Sequence, residues 1–283
     1  MTPLAPTPYA VIGHPVAHSQ SPFIHAAFAR QTAEPITYGR IDCGPEGFVE
    51  AVRRFAAEGG GGCNVTVPFK FEAPALAAHC SQRAVLAQAA NVLRFDAGGW
   101  SAENTDGIGL REDIQRHAGF EIEGRRVLLI GAGGAAAGVL GPLLEALPRQ
   151  LVVVNRSPER ARTLVLRHEP LARSAGVDLD AAPLDAPGEA FDLVLNASAS
   201  SLQGAGVPVP ARVLRAGTLA IDLMYGAAAR GFIDWAGAHG ACGRDGLGML
   251  VEQAAEAFRF WRGVRPHTPP VLAELRRHLG LVA

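Results

Sequence analysis

At 283 residues, with 19% charged and 48% apolar side chains, the chain is long enough for two domains of ordinary size and too apolar to be intrinsically disordered. A formal net charge of −1, without a run of Lys or Arg and with few aromatics, excludes the electrostatic footprint of a nucleic-acid binder and favours a small-molecule partner. The four cysteines, Cys43, Cys63, Cys80 and Cys242, form no Cys-x-x-Cys pair and no zinc spacing, and read as buried free thiols of a reducing compartment.

Residues 1–8 show neither the basic segment nor the apolar stretch of a secretion signal, so a cytoplasmic protein is expected. The first element is a buried strand over Tyr9–Gly13, bounded by Gly and Pro. A helix then starts near Ser21, with Ser21 as N-cap, Pro22 at the first helical position, and Phe23, Ala26, Ala27 and Arg30 at helical spacing. Strand-like Ile36–Cys43 precedes an amphipathic helix over Glu46–Glu58, which carries Phe48, Val52 and Phe55 on one face and ends at Gly59–Gly62. Asn64–Val67 is the next strand. Helical stretches follow Pro68 to about Val92, and then a strand and turn over Leu93–Trp100.

After Asn104-Thr105-Asp106-Gly107 the pattern changes. A helix over about Ile108–His117 leads into short buried strands at Arg126–Ile130, Leu151–Val154, Phe191–Leu195 and Leu219–Asp222, alternating with helical segments. That alternation describes a doubly wound parallel sheet. A long helical pattern follows Gly248 to about Arg262, and a last helix follows Pro269-Pro270. The 18 residues Val127–Leu144 carry no charge, the length of a membrane span. Gly131, Gly133, Gly134, Gly138, Gly141 and Pro142 instead suit a strand, a tight turn and a closely packed helix, so no membrane association is expected.

That turn reads Gly131-x-Gly133-x-x-Ala136, a dinucleotide fingerprint between a strand and a helix. Gly131 permits the turn, Gly133 lets backbone approach a pyrophosphate, and Ala132, Gly134 and Ala135 complete the loop that leads to the helix N-terminus. At the end of the second strand, where an NAD enzyme places an acid on the ribose 2′-hydroxyl, stands Asn155-Arg156-Ser157. With no carboxylate to repel a 2′-phosphate, with Arg156 and Arg160 to pair with it and Ser157 to donate to it, NADP is the expected cofactor.

Gly13-His-Pro-Val-Ala-His-Ser19-Gln-Ser21-Pro22, Asn64-Val-Thr66-Val-Pro-Phe-Lys70, Asn104-Thr-Asp106-Gly107, Asn155-Arg-Ser157 and Asp245-Gly-Leu-Gly-Met-Leu-Val-Glu-Gln253 together resemble the shikimate dehydrogenase family, in order and spacing, along nearly the whole chain. The resemblance implies an N-terminal α/β substrate domain and a Rossmann-type NADP domain facing it across a cleft, with the C-terminal helices packing back on the first domain. On that reading residues 1–106 and 246–283 form the substrate domain and 107–245 the NADP domain. It implies NADPH-dependent reversible reduction of 3-dehydroshikimate to shikimate. Ser19 and Ser21 would hold the substrate carboxylate, Thr66, Asn91, Asp106 and Gln253 would meet its hydroxyls, and Lys70 and Asp106 would be the catalytic pair. Tyr225 would border the substrate, while Leu223 and Gly246 would border the nicotinamide.

Physical chemistry supports several of these roles independently. A carboxylate near the helix at Ser21 meets free N–H groups and the positive dipole end, although Ser21 is equally well read as a plain N-cap. Negative charge that grows on a ketone oxygen during hydride transfer is stabilised by an ammonium such as Lys70, although a lysine after a strand is commonly a solvated surface group. Asp106 is equally well read as an N-cap, and Tyr225 as a packing residue. The chain departs from the family at Ala89-Ala90-Asn91-Val92, where Ala-Val-Asn-Thr is usual, and at 196–202, where a Gly is usual after the serines. The alternatives are a quinate/shikimate dehydrogenase with relaxed substrate and cofactor use, or a non-catalytic NADP-binding sensor. No metal is expected, because His14, His18 and His25 are joined by no carboxylate at a ligand spacing. A second copy in a homodimer is the one macromolecular partner left open.

Overall fold

The structure, a computed structural model, describes residues 5–198 and 206–281. It divides into two compact units, Met1–Gly109 with Val251–Ala283, and Leu110–Leu250. Both are α/β, and the second has the doubly wound sheet expected from the alternation of strands and helices.

The first unit holds β1 (Thr7–Gly13), α1 (Ser21–Thr32), β2 (Ile36–Asp42), α2 (Phe48–Ala57), β3 (Gly62–Val65), β4 (His79–Cys80), α3 (Gln82–Ala87), β5 (Val92–Arg94) and β6 (Ser101–Glu103). The strands form one mixed sheet in the order β2-β1-β3-β5-β6-β4. β1 pairs in parallel with β2 and β3, and β5 runs antiparallel to β3 and β6. Phe48 and Val52 of α2 are buried against Ile12, Val65 and Phe69, with Phe55 packed at the edge of that cluster. The rings of Phe48 and Phe69 stack at 4.8 Å. Burial of Phe69, worth about 2–3 kcal/mol, therefore fixes the short 3₁₀ turn Phe69–Phe71 on which Lys70 rides.

Four local readings shift. Ser21 is the first residue of α1 and Gln20 its N-cap, so the Ser21 side chain is not consumed in capping. β3 ends at Val65, because the backbone turns at Thr66 into the segment 66–68 before Phe69. The stretch after Pro68 is two 3₁₀ turns and α3, interrupted by β4. Asp106 likewise opens α4 (Asp106–Glu112) rather than capping it; the Gly109 amide donates to the Thr105 carbonyl at 3.0 Å.

After α4 the chain passes through a π-helical turn, Asp113–His117, and enters the second sheet: β7 (Arg126–Ile130), α5 (Gly134–Glu145), β8 (Gln150–Val154), α6 (Pro158–Ala175), β9 (Asp178–Ala182), β10 (Leu193–Asn196), β11 (Leu219–Asp222), α7 (Ala227–Ala238) and β12 (Cys242–Arg244). All strands are parallel, in the order β12-β11-β10-β7-β8-β9. The order reverses between β7 and β10, the point at which such sheets open a ligand crevice beyond their carboxyl ends. β9 and β12 are edge strands that the sequence pattern does not announce, and β10 begins at Leu193 rather than Phe191.

α8 (Leu247–Arg262) and α9 (Thr268–His278) complete the first unit from residue 251 onward. Trp261 packs on Tyr9 at 4.6 Å and donates its indole N–H to the Leu93 carbonyl at 2.9 Å. Arg265 binds the buried Glu252 and Glu256 at 2.7 and 2.6 Å and ties the segment after α8 to that helix. Among the described residues, no helix is long and apolar enough to cross a membrane.

His25 of α1 is fully buried, stacked on Tyr38 at 4.2 Å, and neither ring nitrogen has a hydrogen-bond partner of ordinary geometry among the described residues. Burial drives its pKa down to about 3, against a weaker opposing pull from Asn64. The unfolded chain then binds a proton near pH 6.5 that the folded chain refuses. Stability is complete above about pH 6.5 and falls by about 1.4 kcal/mol per pH unit as pH drops toward 3. His25→Phe, which keeps the ring stack, should flatten the acid limb of urea unfolding by that slope; an unchanged limb would show that His25 is not its source.

Candidate active site

The carbonyl end of β3 and the turn at Phe69–Phe71 place Lys70 beside the start of α4. Its Nζ donates to Asp106 Oδ2 at 2.6 Å, and both side chains are largely buried. The Ala90 amide donates to the Lys70 carbonyl at 2.8 Å and pins the backbone of the turn. The other Asp106 oxygen accepts from Asn91 Nδ2 at 2.9 Å.

Asn91 is the hub. Its Nδ2 also reaches Thr105 Oγ1 at 2.9 Å and Gln253 Oε1 at 3.1 Å, while its Oδ1 accepts from the Thr105 amide at 2.8 Å. Gln253 comes from α8, and Gly109 of α4 makes that approach possible: a Cβ at 109 would stand 2.6 Å from the Gln253 amide nitrogen. Lys70, Asp106, Asn91 and Gln253, distant in sequence, thus share one polar cluster in the first unit.

Ser19 and Ser21 form a second element of the same unit. Ser19 Oγ donates to Ser21 Oγ at 3.2 Å and accepts from the Ser21 amide at 3.3 Å, at the first turn of α1. Thr66 is half-buried and sits against Gly13, where any Cβ would clash with the Thr66 methyl group.

Several residues that hold this site carried no expected role. Tyr38 donates to Asn64 Oδ1 at 2.6 Å, and Asn64 Nδ2 donates to the Asn91 carbonyl at 3.2 Å. Burial raises the Tyr38 phenol well above its ordinary range, so it stays a neutral donor. Glu103 accepts from Ser81 at 2.6 Å, from Arg83 at 2.7 Å and from the Asn104 amide at 2.7 Å, and so fixes the segment that carries Asp106. Asn64 and Asn104 lie inside quoted motifs, and their buried amides are the signal that could have marked them. Tyr38 and Glu103 carry no comparable sequence signal.

The second unit holds the nucleotide fingerprint at the switch point. Gly131, at φ +115°, is a conformation that side chains rarely adopt, and a Cβ there would stand 3.0 Å from the Ala197 carbonyl. At Gly133 an added Cβ would meet nothing within 4 Å, which leaves the backbone open to a ligand. Gly133 is the N-cap of α5 and offers no side chain to its N–H groups, so Gly134 and Ala135 open the helix with donors available to a pyrophosphate. Ala132 lies in the intervening turn.

Beyond β8, Asn155 Nδ2 donates to the Ser157 carbonyl at 3.0 Å and shapes the turn into α6. Arg156 and Arg160 are exposed and make no ion pair among the described residues. The neighbouring Glu159 lies 3.7 Å from Arg162 and accepts from the Ser157 hydroxyl at 3.4 Å. The residues present therefore fit a dinucleotide that carries an extra phosphate. At the next strand ends, Leu223 donates its amide to the Asn196 carbonyl at 3.0 Å, and Gly246 lies so close to the Leu223 backbone that no side chain fits. Tyr225 follows β11 in this unit, half-buried. Residues 199–202 of the Asn196–Leu202 stretch lie outside the described residues.

A fingerprint-bearing Rossmann unit joined to an α/β unit with a buried Lys–Asp pair defines a dinucleotide-linked oxidoreductase. Family models agree in detail: a shikimate dehydrogenase substrate binding domain matches residues 11–93, a shikimate / quinate 5-dehydrogenase model matches 113–202, and a shikimate 5′-dehydrogenase C-terminal domain matches 246–276. The chain is 66% identical over 274 residues to a shikimate dehydrogenase (NADP(+)) of Methylibium petroleiphilum, covering 95% of this chain and 93% of that one. It is 59% identical over 268 residues to another from Acidovorax ebreus, covering 95% of each. The solved shikimate 5-dehydrogenase of Thermus thermophilus in complex with NADP(H) and shikimate is 30% identical, with a TM-score of 0.81 over 96% of this chain and 99% of that one. The chain belongs to the shikimate dehydrogenase family.

Proposed function

We propose that the chain catalyses the NADPH-dependent, reversible reduction of 3-dehydroshikimate to shikimate, with substrate held by the first unit and dinucleotide by the second. The observation that carries this reading is the 2.6 Å Lys70–Asp106 pair, tied through Asn91 to Gln253, with Lys70 and Asn91 inside the segment that matches a substrate-binding family model. The relatives named as NADP(+) enzymes and the neighbour solved with NADP(H) and shikimate support the substrate and cofactor.

In this reading residues 1–106 with 246–283 serve the substrate and 107–245 the nucleotide. Ser19 and Ser21 receive the substrate carboxylate, aided by the positive dipole end at the first turn of α1. Thr66, Asn91, Asp106 and Gln253 take the ring hydroxyls, and Tyr225 borders the substrate. Gly131, Ala132, Gly133, Gly134 and Ala135 receive the pyrophosphate; Asn155, Arg156, Ser157 and Arg160 receive the 2′-phosphate; Leu223 and Gly246 border the nicotinamide. When bound, NADPH supplies the hydride. Lys70 stabilises the negative charge that grows on the ketone oxygen and gives it a proton, and Asp106 keeps the ammonium aimed there. In the reverse direction the same pair takes the hydroxyl proton.

Only Cys63 of the four free cysteines is buried, against the expectation that all are; Cys43 is half-buried and Cys80 and Cys242 are exposed, and unpaired exposed thiols support placement in a reducing cytoplasm. The homodimer carried from the sequence is checked by light scattering of the purified chain. The deciding assay offers shikimate and quinate side by side with NADP and NAD. Rapid NADPH formation with shikimate, and slow turnover with quinate or NAD, is the expected result. Comparable rates on quinate would assign the broader dehydrogenase, and nucleotide binding without turnover would assign a sensor.

A further inference from the structure

The serine pair is held by a residue that lies outside the sequence motifs. Arg40, on edge strand β2, donates from Nη2 at 2.6 Å and from Nε at 3.0 Å to the Ser19 carbonyl. This fork fixes the chain at the residue whose Oγ meets Ser21. Arg40 is exposed and pairs with no carboxylate among the described residues. The acid most able to neutralise it is Asp42, two residues along the same strand and on the same side. Asp42 is engaged elsewhere: its Oδ1 lies 2.6 Å from His14 Nδ1 and accepts from the Gly44 amide at 3.2 Å. His14 and Arg40 thus grip the two ends of the segment 14–19, and Arg40 keeps an uncompensated charge and unspent N–H donors beside Ser19.

We propose that Arg40 is a positioning and specificity residue for the acid group of the substrate: it sets the Ser19–Ser21 geometry and selects an anionic over a neutral ring substituent. This rests on the reading that the two serines hold the carboxylate. A guanidinium anchored by two bonds loses little freedom when an anion arrives, and its field acts on the charge of the substrate rather than on the reacting ketone. Its loss therefore weakens binding of the acid and leaves turnover at saturation nearly intact.

The test compares shikimate with its neutral methyl ester as substrates for the wild type, Arg40→Met, Arg40→Lys and the double variant Ser19→Ala, Ser21→Ala. Arg40→Met should raise KM for the acid about tenfold, with KM for the ester and kcat within about twofold of wild type. Arg40→Lys, which keeps the charge without the fork, should fall between. Added salt should raise the acid KM of the wild type and do so less in Arg40→Met. An equal rise on acid and ester would reduce Arg40 to a structural staple and overturn its selective role, as would no rise at all. If the double serine variant leaves the acid KM unchanged, the carboxylate seat itself is misplaced. If that variant raises it and Arg40→Met does not, the proposal for Arg40 fails alone.

Discussion

Lys70→Ala is expected to lower kcat by about three orders of magnitude or more, while KM for shikimate moves only a few-fold. The backbone of the turn is held independently of the side chain, by buried Phe69 and by the Ala90 amide on the Lys70 carbonyl, so truncation removes the ammonium without moving its neighbours. The group removed is the one that meets charge on the oxygen during hydride transfer, a charge the bound alcohol does not carry, so the loss falls on the transition state. Asp106, only 4% exposed, would lose its cation and keep its bond to Asn91. Some destabilisation follows, and circular dichroism at the assay temperature separates it from the loss of chemistry. Near-normal turnover in the folded variant would remove Lys70 from the mechanism.

The second large effect concerns cofactor choice. Arg156→Asp with Ser157→Ala should lower the ratio of kcat/KM for NADP over NAD by about 10²–10³, since a charge-assisted pair is lost and a like charge is set against the 2′-phosphate. Arg156 is exposed and without an ion pair among the described residues, so its replacement costs the fold little. Glu159 already stands near this corner beside Arg162, and the new aspartate would add to its repulsion. An unchanged ratio would mean that Arg156 is only a solvated surface group.

The parts of this molecule legible in its sequence are those with a periodic or chemically distinctive signal. Arg126–Ile130 and Gln150–Val154 are apolar runs buried at nearly every position, and Gly131 after the first marks a turn whose backbone conformation favours glycine. β9, Asp-Leu-Asp-Ala-Ala, is an edge strand whose form is set by pairing with β8, and β4 and β12 are two and three residues long. Such segments are strands because a neighbour offers a ladder, which no local pattern records.

The site divides in the same way. Lys70, Asp106, Asn91 and Gln253 sit in motifs whose order points to a known family, yet their meeting depends on α8 returning to the first sheet. Sequence alone leaves Ser21 and Asp106 open between a cap and a site residue, because each stands at the start of a helix, and a shift of one residue assigns each to the helix itself. Tyr38, Glu103 and Arg40 were invisible for another reason. Each acts through a bond to a residue 20 to 26 positions away or through several short bonds at once, and type and spacing alone do not encode that.

The unit that contains Lys70 is assembled from both ends of the polypeptide, whereas Leu110–Leu250 is continuous. During synthesis on a ribosome all six strands of the first sheet emerge early, yet the unit they belong to is completed only from Val251 onward, after the whole continuous part, by helices that bring the indole bonded to Leu93 and the amide that meets Asn91. The usual N-to-C sequence of maturation is thereby inverted, and the first sheet, complete in its strands but lacking its C-terminal helices, is the species a chaperone would meet.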